Sequence, residues 1–381
     1  KGTRARGRWL EEDERYAEEL LLSEKDRAEN VMIVDLLRND MGRISETGTV
    51  HVEQLFAIER YPTVWQMTSR IASRTRERVP QILRALFPSG SVTGAPKIRT
   101  MQLLAELEPY PRGVYCGAIG WISPGGNAAF NVAIRCVTID GRSGVAEYPV
   151  GSGITADSNP EAEYQECLSK AAVLTRGAAN FDLFESVLYH NGFFLLDDHI
   201  DRLMRSARYF GMRVDSTDVR NALHSTVTNG STAPLKVKLI LNRAGGIRVE
   251  SQLAERATPL RVGLARKYVQ TSDLNLYHKT TRRDLYDKAR ATRPDCDDVL
   301  LWNERGEITE STFANVVVEI DGKLITPPVA CGLLAGTFRA HLLRNHIIKE
   351  GIVEKSDLRR AKQIFLINSV RKWIPVSLVE R

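Results

Sequence analysis

Three stretches in the second half of the chain combine residue types that do chemistry. Lys279 stands in the basic cluster His278-Lys279-Thr280-Thr281-Arg282, just ahead of a helical stretch. Glu310 lies where an apolar strand carrying Asn315 begins. Gly332-Leu333-Leu334-Ala335-Gly336-Thr337-Phe338-Arg339 reads as a glycine-flanked helix start, where backbone N–H groups and the helix dipole suit a phosphate. A pyridoxal phosphate enzyme requires a lysine to anchor the cofactor, an acid to pair with its pyridine nitrogen and a cradle for its phosphate. A lone lysine is most often a surface charge, so the inference rests on the three together.

The first half holds a different set. Glu163, Glu166 and Lys170 fall at i, i+3 and i+7 on one face of a helix opened by Pro160, beside the turn Gly151-Ser152-Gly153. Two acids one turn apart make a platform for Mg²⁺, which takes one or two carboxylates, waters and an anionic ligand. The same spacing also describes a solvated Glu–Lys ladder. The loop at 88–97, PSGSVTGAPK, opens another helix and is a ready anion site, without the GxxxxGK[ST] pattern of a P-loop. A capping box at Ser23 starts a helix on which Glu29, Ile33, Leu36 and Asp40 share a face. Acids among apolar neighbours need a partner, such as Arg38, or a function.

A chain of 381 residues suffices for two domains to support these groups. Helices are expected at 9–22, 23–40, 78–86, 96–107, 198–210, 215–228, 282–291 and 336–349. Strands are expected near 46–58, 63–71, 115–123, 127–139, 144–150, 181–189, 193–196, 235–242, 260–265, 297–302, 314–320, 323–326 and 363–368. The low-bulk segment Arg176-Gly177-Ala178-Ala179-Asn180 reads as a hinge, dividing the chain into 1–176 and 177–381. The abrupt start at Lys1-Gly2-Thr3-Arg4 predicts that the first domain lacks an N-terminal portion. Five scattered cysteines without a CxxC pair fit a reduced, cytoplasmic protein. There is no apolar run of membrane-spanning length and no signal-peptide pattern. The net charge of +6 is spread among acids rather than gathered in a stripe, which argues for anionic small substrates over nucleic acid.

Six motifs in order give the first part a family resemblance: Lys1-Gly2-Thr3-Arg4, the 28–40 helix from Ala28-Glu29-Asn30 to Asn39-Asp40, the 90–97 loop, Arg112-Gly113-Val114-Tyr115-Cys116-Gly117, Ala133-Ile134-Arg135, and Pro160 with Glu163, Glu166 and Lys170. Together they resemble the C-terminal half of chorismate-utilising enzymes of the aminodeoxychorismate synthase component I type. The resemblance implies an α+β domain of stacked sheets and a Mg²⁺ held by Glu29 with Glu163 or Glu166. It implies binding of chorismate by Thr93, Tyr115, Arg135, Lys170 and the backbone at Gly151 and Gly153. It makes Lys1 a nucleophile that attacks C2 of chorismate before ammonia enters at C4, with a glutamine amidotransferase partner supplying the ammonia. Gln66 departs from the pattern, standing where the family often has a histidine.

Residues 180–381 resemble fold-type IV pyridoxal phosphate enzymes, the group of branched-chain and D-amino acid aminotransferases and aminodeoxychorismate lyase. Phe184-Glu185-Ser186, His199-Ile200-Asp201-Arg202-Leu203 and Asn368-Ser369 join the three stretches above as matches. By that resemblance Lys279 is the Schiff-base lysine and proton carrier, and Glu310 keeps the pyridine nitrogen protonated. Arg202, Gly336, Thr337 and Ser369 hold the phosphate, Ser186 faces the substrate, and the protein is a homodimer. The expectation is an α+β chain in which the first module aminates chorismate and the second cleaves aminodeoxychorismate to 4-aminobenzoate and pyruvate. An aminotransferase behind a degenerate first half, or a scaffold without activity, are the competing readings.

Overall fold

A computed structural model describes residues 2–156, 158–174, 181–227 and 233–379. The chain divides into two units: Lys1–Arg6 with Glu14–Ala179, and Gly7–Asp13 with Asn180–Arg381. The short segment 7–13 therefore joins the second unit rather than the first. Both units mix helices with mainly antiparallel sheets, the expected α+β composition. Among the described residues no helix is long and apolar enough to cross a membrane.

In the first unit, Thr3–Ala5, Val64–Ala72 and His51–Arg60 form an antiparallel sheet in the order first, third, second, with Gln66 opposite Thr3. Helix Glu24–Gly42 packs on it, and Ser23 caps that helix by accepting from the Asp26 N–H at 3.2 Å. Asp40 on this helix pairs with Lys97 at 2.9 Å, whereas Arg38 turns outward to Asp35. The expected strand 115–123 shortens to Ala118–Ile122 because Cys116 is left-handed, with φ 64°. The expected strand 127–139 breaks into Ala128–Val132 and Thr138–Ile139 around Arg135, with φ 58°. The strand expected at 144–150 is only Ala146–Glu147.

The second unit is built on two sheets. Ile247–Leu253, Leu235–Leu241 and Leu183–Tyr189 make an antiparallel three-stranded one. The other has eight strands, ordered Ile308–Ser311, Asp298–Trp302, Leu260–Leu264, Lys372–Leu378, Gln363–Asn368, Asn315–Ile320, Lys323–Thr326 and Lys349–Glu350. Its core is continuous: Val262, Leu300, Ile308, Val316, Val318, Leu366 and Ile374 pack together with no exposed surface. Burying such side chains contributes about 1.5–3 kcal/mol each. Two expectations fail at helix ends. Phe193 makes only an isolated bridge to Tyr189, and left-handed Leu195 sends the chain straight into helix Leu196–Phe210. The helix expected at 336–349 stops at Arg344, two residues before the left-handed His346.

Candidate active sites

Lys279 is placed by backbone pairing. Its carbonyl accepts from the Phe184 N–H at 3.0 Å, and the Thr281 N–H donates to the Asp182 carbonyl at 2.8 Å. His278 beside it is pinned through its two ring nitrogens to the Ser206 hydroxyl and the Arg8 carbonyl, each at 3.0 Å. Lys279 Nζ then lies 4.6 Å over the Phe184 ring, inside a cavity of about 660 Å³ that Glu310, Ser186, Arg202, Gly336, Thr337 and Ser369 also line. Enclosure by protein, and after it the charge of Arg202, lowers the Lys279 pKa to about 8. At pH 8 about half of this lysine is therefore neutral, against well under one per cent of an ordinary one.

Glu310 belongs to Ile308–Ser311 and sits opposite Asn315 in the ladder, so the two side chains meet. Its carboxyl accepts from the Tyr286 hydroxyl at 2.8 Å, the Leu334 N–H at 3.2 Å and Asn315 Nδ2 at 3.3 Å. Burial pushes it up to about 7, with the Tyr286 bond, the Leu334 N–H and the charges of Arg283 and Lys279 opposing the rise. Lys279 and Glu310 thus face one cavity within electrostatic reach of each other. Glycine is required at 336, because a Cβ there would lie 2.0 Å from Asn315 Oδ1. This close approach sets the start of helix Thr337–Arg344 against Glu310.

Arg202 is braced rather than free. Its Nε and Nη2 donate to Glu185 at 2.9 and 2.6 Å, and Nη1 donates to the Ala335 carbonyl at 3.2 Å. Burial would raise the Glu185 carboxyl, yet Arg202 and His199 outweigh it and hold it down at about 2. His199 completes a buried chain, bonded to Glu185 at 2.7 Å and to the Thr337 hydroxyl at 3.2 Å. Ser369 donates to the Ser186 carbonyl at 3.4 Å. These residues suit pyridoxal phosphate. A lysine of lowered pKa and a buried carboxyl share one cavity, and a helix N-terminus with Arg202 offers positive charge at its wall.

Sequence reasoning missed several members. Arg283 and Tyr286 follow Lys279 at i+4 and i+7; Arg283 lies 3.9 Å over the Tyr286 ring and donates to the Thr312 carbonyl. Arg283 caps helix Asp284–Ala291 and Tyr286 lies in its first turn, so nearness in sequence to Lys279 was the available signal. Glu185 was legible as an acid inside an apolar strand, and Lys236 as a cation in one.

In the first unit the candidates are gathered in part. Lys170 Nζ pairs with Glu166 at 2.5 Å and donates to the Gly151 carbonyl at 2.9 Å. A Cβ on Gly151 would lie 2.9 Å from the Tyr115 hydroxyl, whereas Gly153 has open space. Burial, followed by Cys116, pushes the Tyr115 phenol up to about 12. Tyr115 also lines a cavity of about 490 Å³ with Thr93, whose hydroxyl donates to the Ser89 carbonyl at 3.1 Å. Arg135 is half-buried. Glu163 accepts from the Ser158 hydroxyl at 2.8 Å. The Glu29 pKa is raised by burial, against Lys25, with the charges of Asp26 and Glu163 adding to the rise. Among the described residues no three of His, Cys, Asp and Glu converge on a metal position. Glu166 is engaged by Lys170, whereas the Glu29 carboxyl lies near enough to Glu163 to feel its charge. Lys1 and the 176–180 hinge lie outside the described residues.

Comparison with known proteins also finds two parts, with segment 7–13 falling in the first. Residues 1–176 match the family model of chorismate binding enzymes, and residues 182–379 that of class IV amino-transferases. Aminodeoxychorismate synthase component 1 of Bacillus subtilis (strain 168) is 45% identical over 177 residues, 46% of this chain and 37% of that protein. Anthranilate synthase component 1 of Aquifex aeolicus (strain VF5) is 46% identical over 177 residues, 46% of this chain and 35% of that protein. The chain thus spans little more than a third of these relatives. A structure from Mesorhizobium loti, named provisionally as an amino-acid aminotransferase, matches with TM-score 0.50 and 36% identity, covering 52% of this chain and all of that one.

Proposed function

Since the chain belongs to the class IV amino-transferase family through residues 182–379 and carries a chorismate-binding-enzyme segment before them, we propose that it makes 4-aminobenzoate in two steps. The first unit aminates chorismate to 4-amino-4-deoxychorismate, and the second eliminates pyruvate from that product. Fusion supports the pairing, because one unit's product is the other's substrate. The observation that carries the second step is Lys279 and Glu310, both buried, facing one cavity with their pKa values shifted toward each other.

Pyridoxal phosphate bound in this cavity would supply an electron sink for the carbon that bears the substrate nitrogen. Lys279 would anchor it and, once the substrate nitrogen had taken its place, would be free as a neutral amine to remove the proton from C4 of the substrate. Glu310, oriented by Tyr286, Asn315 and the Leu334 N–H, holds a proton at the ring nitrogen. Arg202 and the N–H groups at Gly336 and Thr337 would hold the phosphate, with Ser369 as a further contact, and Glu185 and His199 keep Arg202 and Thr337 in place. Ser186 faces the substrate.

For the first step, Glu29 and Glu163 would hold Mg²⁺, with Glu166 as an alternative once Lys170 turns to the substrate. Tyr115, Thr93, Arg135, Lys170 and the Gly151–Gly153 backbone would receive chorismate, and Lys1 would be the nucleophile. Identity does not separate aminodeoxychorismate synthase from anthranilate synthase relatives; the lysine at position 1 supports the former. An amidotransferase subunit as ammonia source, a homodimer and a cytoplasmic setting complete the proposal, the last supported by five free cysteines.

The deciding assay supplies aminodeoxychorismate to the purified protein and follows 4-aminobenzoate. Formation without any keto acid supports the lyase, and a strict need for a keto-acid acceptor overturns it in favour of an aminotransferase. For the first step, Glu163→Gln is expected to raise the Mg²⁺ concentration needed for chorismate turnover; an unchanged requirement removes Glu163 as a ligand.

A further inference from the structure

The wall of the second unit's cavity carries cations that none of the roles above uses. Lys236 and Lys238 stand opposite Leu188 and Ser186 in the sheet register. Alternation along a strand puts both lysines on the face that Ser186 presents to the cavity. Lys238 lies 5.5 Å over the ring of Phe184, the ring that Lys279 also covers. Lys236 lines the cavity together with Arg371. Burial, and after it the charge of Arg371, lowers the Lys236 pKa, so two cations are held within reach of each other at one wall.

Arg371 is directed rather than loose. Its N–H is fixed by Asn368 Oδ1 at 2.8 Å, and its guanidinium lies 5.3 Å over Phe313, another cavity residue. Its carboxylate partner among the described residues is Glu255, which also lines the cavity and is 65% exposed. Cations gathered beside a lysine that must lose its own proton oppose one another unless an anion completes the set. The phosphate end of the cofactor is provided for separately by Arg202 and the Gly336–Thr337 turn, so this second group of charges is available to another anion.

We propose that Arg371 and Lys236 form the carboxylate-binding arm of the substrate pocket, and that Glu255 occupies Arg371 until an incoming substrate carboxylate displaces it. The ligand class is a ring amine whose carboxylate lies away from the reacting nitrogen. This deepens the reading of the cavity as a site for an amine-bearing carboxylate, and it does not depend on the choice between lyase and aminotransferase. Glu255 then acts as a selectivity element: amines lacking an acid have no means of releasing Arg371.

The test measures calorimetric binding of 4-aminobenzoate, and of aniline as the same ring without the acid, to the cofactor-loaded protein. Arg371→Met is expected to weaken 4-aminobenzoate by about tenfold or more, the loss of a charge-assisted pair. Arg371→Lys is expected to recover part of this, since it keeps the charge without the planar fork. Lys236→Met should weaken binding by a smaller factor, and Glu255→Gln should tighten it about threefold by removing the competitor. Aniline binding should be alike in all four variants, and an unaltered visible spectrum of the bound cofactor reports that each is folded. The proposal is overturned if the wild type binds 4-aminobenzoate no better than aniline, if Arg371→Met leaves its affinity unchanged, or if Glu255→Gln weakens it. A wild type that makes no 4-aminobenzoate from aminodeoxychorismate, yet shows these affinity shifts, removes the lyase reading and leaves the carboxylate arm standing.

Discussion

The two units solve different problems with the same kinds of side chain. In the second, the acid of an acid–arginine pair is shut away from water: Glu185 keeps 3% of its surface while the Arg202 side chain keeps 14%, and the pair sets the wall of the cofactor cavity. In the first, Glu166 and Lys170 meet on a helix face, with 36% and 16% of their side chains exposed. The sheets differ likewise. The eight-stranded sheet closes over a continuous core, whereas Trp121, Ile122 and Phe130 on the hairpin Ala118–Val132 remain exposed. The difference teaches that chemistry in the second unit is prepared by the fold itself. Enclosure moves Lys279 down and Glu310 up toward neutrality before any ligand arrives.

Four substitutions and one pH dependence press on this contrast. Replacing Lys279 with alanine should have the largest effect: 4-aminobenzoate formation falls about 10³-fold, and the visible absorbance of the lysine-bound cofactor disappears. A surviving band would remove Lys279 as the anchor. Uptake of cofactor by the apoprotein should also accelerate as pH rises through about 8, where the amine becomes neutral, and level off above it.

Next, Glu185→Gln should destabilise the second unit by about 3–5 kcal/mol in urea unfolding at pH 7, because it leaves Arg202 without its buried partner. The Glu185 carboxyl is depressed from 4.5 to about 2. Its contribution, about 3 kcal/mol, is therefore fully present above pH 4.5 and lost as pH falls through about 2. The gap between wild type and variant should narrow by pH 3; a gap that stays constant would contradict the ionised pair.

Tyr286→Phe deletes one hydrogen bond to Glu310 and should cost about 1 kcal/mol, seen as a several-fold drop in turnover. Because the Tyr286 bond lowers the Glu310 pKa, its loss should move the pH dependence of the cofactor spectrum upward. A purely structural role would leave that profile in place. Smallest of all, Glu166→Gln should change thermal stability by only about 0.3–0.5 kcal/mol, the range of an exposed i,i+4 pair. An effect as large as that of Glu185→Gln would erase the distinction between the two units.

Much of this was legible beforehand where the signal is local. Ser23 and the glycine-flanked Gly336-Thr337 turn announce their geometry in neighbouring residues, and helices such as Glu24–Gly42 and Lys97–Leu107 fall where periodicity puts them. Strands Ile247–Leu253 and Lys372–Leu378 escaped notice. The former is mostly polar, and the latter contains Pro375, which a strand tolerates only where the register permits. Asp40 was read against Arg38, two residues away, whereas its partner Lys97 lies 57 residues on in another helix. The left-handed residues Cys116, Arg135 and Leu195 each ended a pattern that alternation alone would have continued.

The amino-acid order by itself determined which chemistry the chain can do: a lysine, an acid on a strand and a glycine-opened helix in one half, and acids beside a glycine turn in the other. Those are properties of residue types and short spacings, and they hold however the segments are later arranged. Only the tertiary structure decided what state the groups are in. Glu310 rises to about 7 and Lys279 falls to about 8 because walls from five or more separate segments exclude water around them. Arg371, Lys236 and Glu255, far apart along the chain, acquire a common role only by lining one cavity. Desolvation and charge proximity depend on distance in space, and sequence distance does not report it.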